Sequence, residues 1–446
     1  MTNAAQLQCI SVPVTAGKQT RHRWIILALI FLIYMLASAN RACMGFAMPF
    51  ISKEFGLSNT EAGSVLGVFF LGFGLAQIPA GLLVTTFGVR RVFFPVFSLF
   101  AGVVLSAAFA PGAGLLKLSR ALMGVLQAPV ATGLMTTINN WFPPREKGTA
   151  TGIYLASSMT GPMLVPFFCA AIIQRWGWRE IFTVTSFPWL ILLALWMLLA
   201  RNHPPESRYC SQAEADHIAD RITGTPGCAK GRTRHPAWLD TLIRTQNAPP
   251  VTTKTGLFRS WGIMGVTLAF FFVMSMVSIV MNWLPSYLAT VKQFDMATVA
   301  LASSMPFAGQ VVGNLVGGWI SDTLFDGRRK PLMLVTAVGS AIMMYSLTVA
   351  STNVTMLCAH LFLVGFILSL GYSNYVVYPA AIASKTVFPL ATALVNTGGQ
   401  LGGASAPVVT GFILDHSNWD TVFLYMAVCS LIALVLVSTM PEVRND

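Results

Sequence analysis

The sequence predicts an all-α membrane protein of twelve transmembrane helices, arranged as two six-helix bundles related by a pseudo-two-fold axis. Three observations carry that prediction. Of 446 residues, 55% are hydrophobic and only 10% are charged, against about 25% charged in a soluble globular chain. Apolar runs near the length needed to cross a hydrocarbon core recur along the whole chain. A short glycine-plus-basic turn occurs twice, six runs apart, which marks a chain built from two parallel repeats.

The first element is a polar tail, residues 1–22. It is expected to be no secretory signal, because the apolar run that follows is too long for a signal's apolar region. Six spans come next, read as 24–48, 60–84, 92–110, 113–138, 148–174 and 178–200. They form an N-terminal bundle over 23–200. The second span opens on "SNTE", with Ser58 three residues before Glu61, the spacing of a capping box. The one long polar stretch, 201–258, is a central loop. Within it "CSQAEADHIADRI" reads as a surface helix capped by Ser211 and Glu214, and "TGTPGCAKGRTRHP" as flexible linker. Six further spans, 260–288, 297–321, 331–350, 355–379, 387–413 and 420–440, form a C-terminal bundle over 259–440, and 441–446 is a tail.

A net charge of +12 would suggest nucleic acid in a soluble protein. Here the basic residues lie in loops and mostly on one side, so the expected partner is the lipid bilayer and not nucleic acid. With the N-terminus inside, one face collects Lys18, Arg21, Arg23, Arg90, Arg91, Arg145, Lys147, the basic loop residues, Arg328, Arg329, Lys330, Lys385 and Arg444. The other collects only Lys53, Lys117, Arg175, Arg179 and Lys292. That asymmetry predicts an integral membrane protein with both termini cytoplasmic. The seven cysteines show no disulfide framework or zinc-ligand spacing. No catalytic constellation is visible. The expectation is no enzyme, no cofactor, no metal and a monomer.

Every acid falls in a loop, at a span end or in a tail, so no carboxylate remains for mid-membrane. Two arginines do remain, Arg41 in the first span and Arg120 in the fourth. Burying such a charge costs about 3 kcal/mol on insertion scales. An anionic ligand would offset that cost, and a guanidinium grips carboxylate, sulfonate or phosphate with two hydrogen bonds. The plainer alternative is that each snorkels to the nearer surface. Gln127, two turns from Arg120, can share its helix face. Polar pairs at helical spacing add Gln310 in the eighth span, Asn374 and Tyr378 in the tenth, and Asn396 and Gln400 in the eleventh. Asn282, Tyr34 and Tyr154 are further cavity candidates; each can equally be packing or interhelical glue. His360 is the one membrane-embedded histidine candidate for proton coupling. Asn353 heads an "NVT" sequon that chance also produces.

The repeated turns are "GLLVTTFGVRR", Gly81 to Arg91, and "GWISDTLFDGRRK", Gly318 to Lys330. They resemble the G-x-x-x-D-(R/K)-x-G-(R/K)-(R/K) signature of the major facilitator superfamily. Gly81, Gly88, Arg90 and Arg91 match in the first copy, whose acid position is Thr85. Gly318, Asp322, Gly327, Arg328 and Arg329 match in the second. "NRACMGFAMPFI", "RALMGVLQAP", "NNWFPPREKGTATG" and "HPPESRYCSQAEADHI" resemble the anion:cation symporter family within it. That resemblance implies secondary active transport of a small organic anion, such as a sugar acid, with protons as coupling ion. It also implies substrate contact by Arg41 and Arg120. Where the family has aspartate and glutamate associated with proton coupling, this chain has Asn40 and Gln127, which keep hydrogen bonding and lose the titratable proton. Proton symport, anion exchange and facilitated diffusion all remain open, as do export of another solute and a non-transporting membrane sensor.

Overall fold

The computed structural model describes residues 20–219, 245–246, 251–323, 325, 328–384 and 387–443. Twelve long helices dominate them. The N-terminal six are α1 (His22–Phe55), α2 (Asn59–Phe87), α3 (Val89–Ala108), α4 (Ala113–Trp141), α5 (Pro144–Trp176) and α6 (Arg179–Leu199). Two short helices, α7 (Gln212–Ala219) and α8 (Lys254–Arg259), flank the central loop. The C-terminal set is α9 (Trp261–Thr290), α10 (Met296–Thr323), α11 (Lys330–Ser346), α12 (Val354–Leu370), the short α13 (Tyr372–Val377) and α14 (Pro379–Ile382), α15 (Phe388–His416) and α16 (Trp419–Thr439). Strands β1 (Thr245–Gln246) and β2 (Glu442–Val443) make one parallel pair. A chain this apolar forms helices because hydrocarbon offers a backbone amide no partner outside its own helix.

The pairing pattern repeats at a six-span offset. In the N-terminal half α1 packs on α5, α2 on α4 and α3 on α6; in the C-terminal half α9 packs on α15, α10 on α12 and α11 on α16. The halves meet where α2 crosses α15, α5 crosses α10 and α1 crosses α9. Even the close approaches correspond: a Cβ on Gly124 would lie 2.1 Å from the Phe69 carbonyl, and one on Gly365 would lie 1.9 Å from that of Pro306. Small residues at these crossings let the backbones touch, as membrane packing favours.

Among the described residues, eleven segments are long and apolar enough to cross a membrane. The twelfth, α15, has 29 residues, but its run "NTGGQLGGASAP" dilutes its apolar character. The tenth span is not the single helix expected over 355–379. It breaks at Gly371, whose Cβ would lie 2.7 Å from Thr336 Oγ1 on α11, and resumes as α13 and α14. The Ser58–Glu61 capping box forms as expected.

The central-loop helix departs from its expected cap. Ser211 Oγ does accept from the Glu214 amide, 3.2 Å. The Glu214 carboxylate instead crosses to the start of α1. There it accepts from the amides of His22 and Arg23, from Thr20 Oγ1 at 2.6 Å and from the Arg23 guanidinium at 3.0 Å. Arg23 also pairs with Glu146 on α5, 2.9 Å. Burial alone would raise the Glu214 carboxyl, but hydrogen bonds from Thr20, Arg23 and His22 outweigh it and hold it below the usual carboxylate range. The linker expected over 223–236 lies outside the described residues.

Candidate functional site

The basic end carries residue 20, the α2–α3 turn and α7; the opposite end carries the α1–α2 and α15–α16 turns. Arg41 stands in the middle of the 34-residue α1 and Arg120 in the first half of α4. Arg120 does not snorkel: it is fully buried. Its one hydrogen bond is a long 3.4 Å contact from Nη2 to the Arg41 carbonyl, and its Nε and Nη1 have no partner. Arg41 is partly buried and its Nε is also unpartnered. Both guanidinium groups lie over the Phe69 ring, at 6.0 Å for Arg41 and 4.9 Å for Arg120. A desolvated cation–π contact is worth about 2 kcal/mol, less than the several kcal/mol of desolvation each buried ion suffers. No acid pairs with either arginine among the described residues.

Tyr154 and Tyr372 lie within electrostatic range of Arg41, and Tyr34 lies beside Tyr154. Tyr34 and Tyr154, from α1 and α5, have ring centroids 4.4 Å apart. Tyr372, from α13 in the other half, lies within electrostatic reach of both Arg41 and Tyr34. Its hydroxyl has only a weak contact to Met274 Sδ at 3.4 Å. The break at Gly371 starts α13 at this residue. Sequence reasoning missed Tyr372 and Phe69. An aromatic in an apolar run carries no signal of its own, although a glycine breaking a long span does hint at an unusual site.

The neutral candidates divide. Asn40 donates to the Leu36 carbonyl at 3.0 Å, while its side-chain oxygen is buried without a partner. Gln127 Oε1 is likewise buried and unpartnered. In the C-terminal half the same holds for Asn282 Oδ1, Gln310 Nε2 and Gln400 Oε1, and Asn396 is partly buried. Gln400 packs against Gly74, where α15 crosses α2. Asn374 and Tyr378, expected in the cavity, have protein partners near the basic end. Asn374 bonds Ser321 and the Arg329 carbonyl, and Tyr378 donates to the Pro441 carbonyl. Both sit in the last turns of the broken tenth span, so their polar atoms serve the basic end. His360 meets Ser346 Oγ at 2.7 Å, and Asn353 caps α12.

The two signature turns are built differently. Gly88 has φ +78°, in the left-handed region that favours glycine. Arg90 pairs with no acid among the described residues: it donates to the Met197 carbonyl at 2.9 Å, and its amide donates to Asn202 Oδ1 at 3.1 Å. Thr85 folds back onto the Gly81 carbonyl, Gly81 has open space around it, and Arg91 is exposed. In the second copy Arg329 donates to Ser321 Oγ at 2.9 Å, and that hydroxyl reaches the Arg328 carbonyl. Gly318 also has open space. The Asp322 side chain and Gly327 lie outside the described residues.

Comparison with known proteins adds three kinds of match. The model of the Major Facilitator Superfamily matches residues 30–302 and 266–445. A D-galactonate transporter of Escherichia coli O6:H1 is 26% identical over 95% of this chain and 96% of its own. A probable sulfoacetate transporter of Cupriavidus necator is 28% identical over 91% and 90%. Among solved structures, a bacterial homologue of the human lysosomal transporter Spinster superposes with a TM-score of 0.70 at 15% identity, covering 95% of this chain and 96% of that one.

Proposed function

The chain belongs to the Major Facilitator Superfamily, and from that premise we propose that it is a secondary transporter, not an enzyme, that carries a small organic anion across a membrane by alternating access. The observation that carries this reading is the buried Arg120 beside Arg41, with open hydrogen-bond positions on both and no acid paired with either among the described residues. A carboxylate or sulfonate bound there completes the charge that the protein leaves open, with the planar guanidinium forks as ligands. The Tyr34–Tyr154 pair and Tyr372 lie near the same charge and suit the hydroxyls of a sugar acid. Relatives named for D-galactonate and for sulfoacetate support that substrate class. The setting is a bacterial cytoplasmic membrane with both termini inside, and the unit is a monomer.

Asn40 and Gln127 hold no titratable proton, so a proton cannot reset this site by neutralising it. Coupling is by anion exchange or by symport of a proton carried elsewhere. Uptake of labelled sugar acids and sulfonates into proteoliposomes tests both points. The wild type is expected to accumulate at least one of them, and Arg41→Gln to lose that uptake while remaining folded. Counterflow that persists without a pH gradient, with no uptake into vesicles empty of anion, favours exchange over symport and facilitated diffusion. Uptake of none of the acids, or unchanged uptake by Arg41→Gln, overturns the reading.

A further inference from the structure

We infer that Asp415 is a positioning residue for the transport cycle: its carboxylate latches the two halves together and holds the empty carrier shut at the opposite end. This rests on the alternating-access reading above. Asp415 lies in the last turn of α15, in the C-terminal half. An anion there is disfavoured by its own helix, whose C-terminus carries partial negative charge. The side chain serves another helix instead. Asp415 Oδ1 accepts from the Asn59 amide at 2.9 Å, and Oδ2 accepts from the Thr60 amide at 2.9 Å and from Thr60 Oγ1 at 2.6 Å. Those residues open α2, in the N-terminal half.

The local accounting of donors makes the contact specific. The capping box of α2 already uses Ser58 Oγ for the Glu61 amide and Glu61 for the Ser58 amide. The Asn59 and Thr60 amides are what the box leaves over, and Asp415 takes both. Positive helix-end charge, two unclaimed donors and a hydroxyl thus meet one carboxylate. The same crossing continues inward as close backbone contact. A Cβ on Gly411 would lie 2.1 Å from the Asn59 carbonyl, one on Gly63 2.2 Å from that of Pro407, and one on Gly67 2.2 Å from that of Ala404. The run of approaches ends at Gly74 against Gln400, and nearer the basic end Gly81 has nothing within 4 Å. The halves are therefore zipped from the opposite end to mid-helix, and Asp415 is the outermost tooth. Any state open at that end must break its three hydrogen bonds at once.

The test reads gate position without substrate, so it stands apart from the transport assay. Met48 is buried and lines a crevice of about 480 Å³ at this end, together with Ser52, Asn59 and Ser417. A cysteine placed there, Met48→Cys, is labelled with an impermeant maleimide in lipid nanodiscs, with the native cysteines as background. Adding Asp415→Ala is expected to speed labelling about ten-fold, the change that follows loss of a charge-assisted contact. Asp415→Glu is expected to restore most of the slow rate. Asp420→Ala, at a neighbouring exposed acid, is expected to change nothing. Melting curves and size-exclusion profiles identify variants that have lost the fold, and Asp415→Asn, which keeps one acceptor, then replaces Asp415→Ala. An unchanged labelling rate in folded Asp415→Ala, or an equal increase in Asp420→Ala, overturns the inference. Failure of every acid to be transported would sink the substrate reading and leave this result standing.

Discussion

Arg41 and Arg120 both belong to the N-terminal half, whereas in the C-terminal half the described side chains with unpartnered buried atoms, Asn282, Gln310 and Gln400 among them, are all neutral. The two halves share a pairing pattern down to individual glycine contacts, yet they differ in the chemistry they bring to their meeting surface. In the proposed cycle, a charged anchor fixed on one half would hold the ligand's anionic group. Neutral donors and acceptors on the other half reward only a ligand that reaches across. Such division lets ligand binding favour one relative position of the halves over another, which is the differential interaction that any coupled conformational change requires.

The largest effect expected from breaking this asymmetry comes from Arg120→Gln. It removes the fully buried charge, and uptake should fall by at least 100-fold, since hydrogen bonds to charged groups are worth about 1.5–3 kcal/mol and an ion pair is lost with them. Initial rates in proteoliposomes check it, and a loss below five-fold would show that Arg120 braces Arg41 without meeting the ligand. Gln127→Glu sharpens the comparison from the same helix. Ionised at high pH, the new carboxylate competes with substrate for the arginines; protonated at low pH, it releases them. Uptake by this variant should therefore rise several-fold as pH falls from 8 to 5 relative to wild type, and a parallel pH profile would refute the shared face. The smallest effect belongs to Tyr372→Phe, which removes one neutral hydroxyl on the C-terminal side, worth about 1 kcal/mol. It should weaken binding of a hydroxylated acid a few-fold and leave a small sulfonate unaffected. Equal loss for both would mean that the phenol only packs.

The fold was legible because hydrocarbon leaves a chain few options. The apolar runs, the basic face and the duplicated glycine turn each reported one consequence of that constraint. Arg41 and Arg120 were legible for the same reason, since a charge stands out where almost none is tolerated. What was hidden depended on partners distant in sequence. Asp415 reads as an ordinary acid at a span end until Asn59 and Thr60 are seen beneath it. Glu214 reads as the cap of its own short helix. Asn374 and Tyr378 share a helix face as their spacing implies, but the bonds of Asn374 to Ser321 and Arg329 and of Tyr378 to Pro441 come from segments that spacing within one helix does not report. Tyr372 and Phe69 look like every other aromatic in a membrane segment.

The Glu214 contact also bears on the order in which the protein is made. Arg23 meets its carboxylate across 191 positions of sequence, and all six N-terminal helices lie between them. Chains leave the ribosome N-terminus first and fold largely in that order. Of the six N-terminal helices, α1 is made first and is therefore the last to be finished. Its leading turn stays uncapped until the loop beyond the sixth helix has emerged, and closure of that clasp marks the completion of the N-terminal half as a unit.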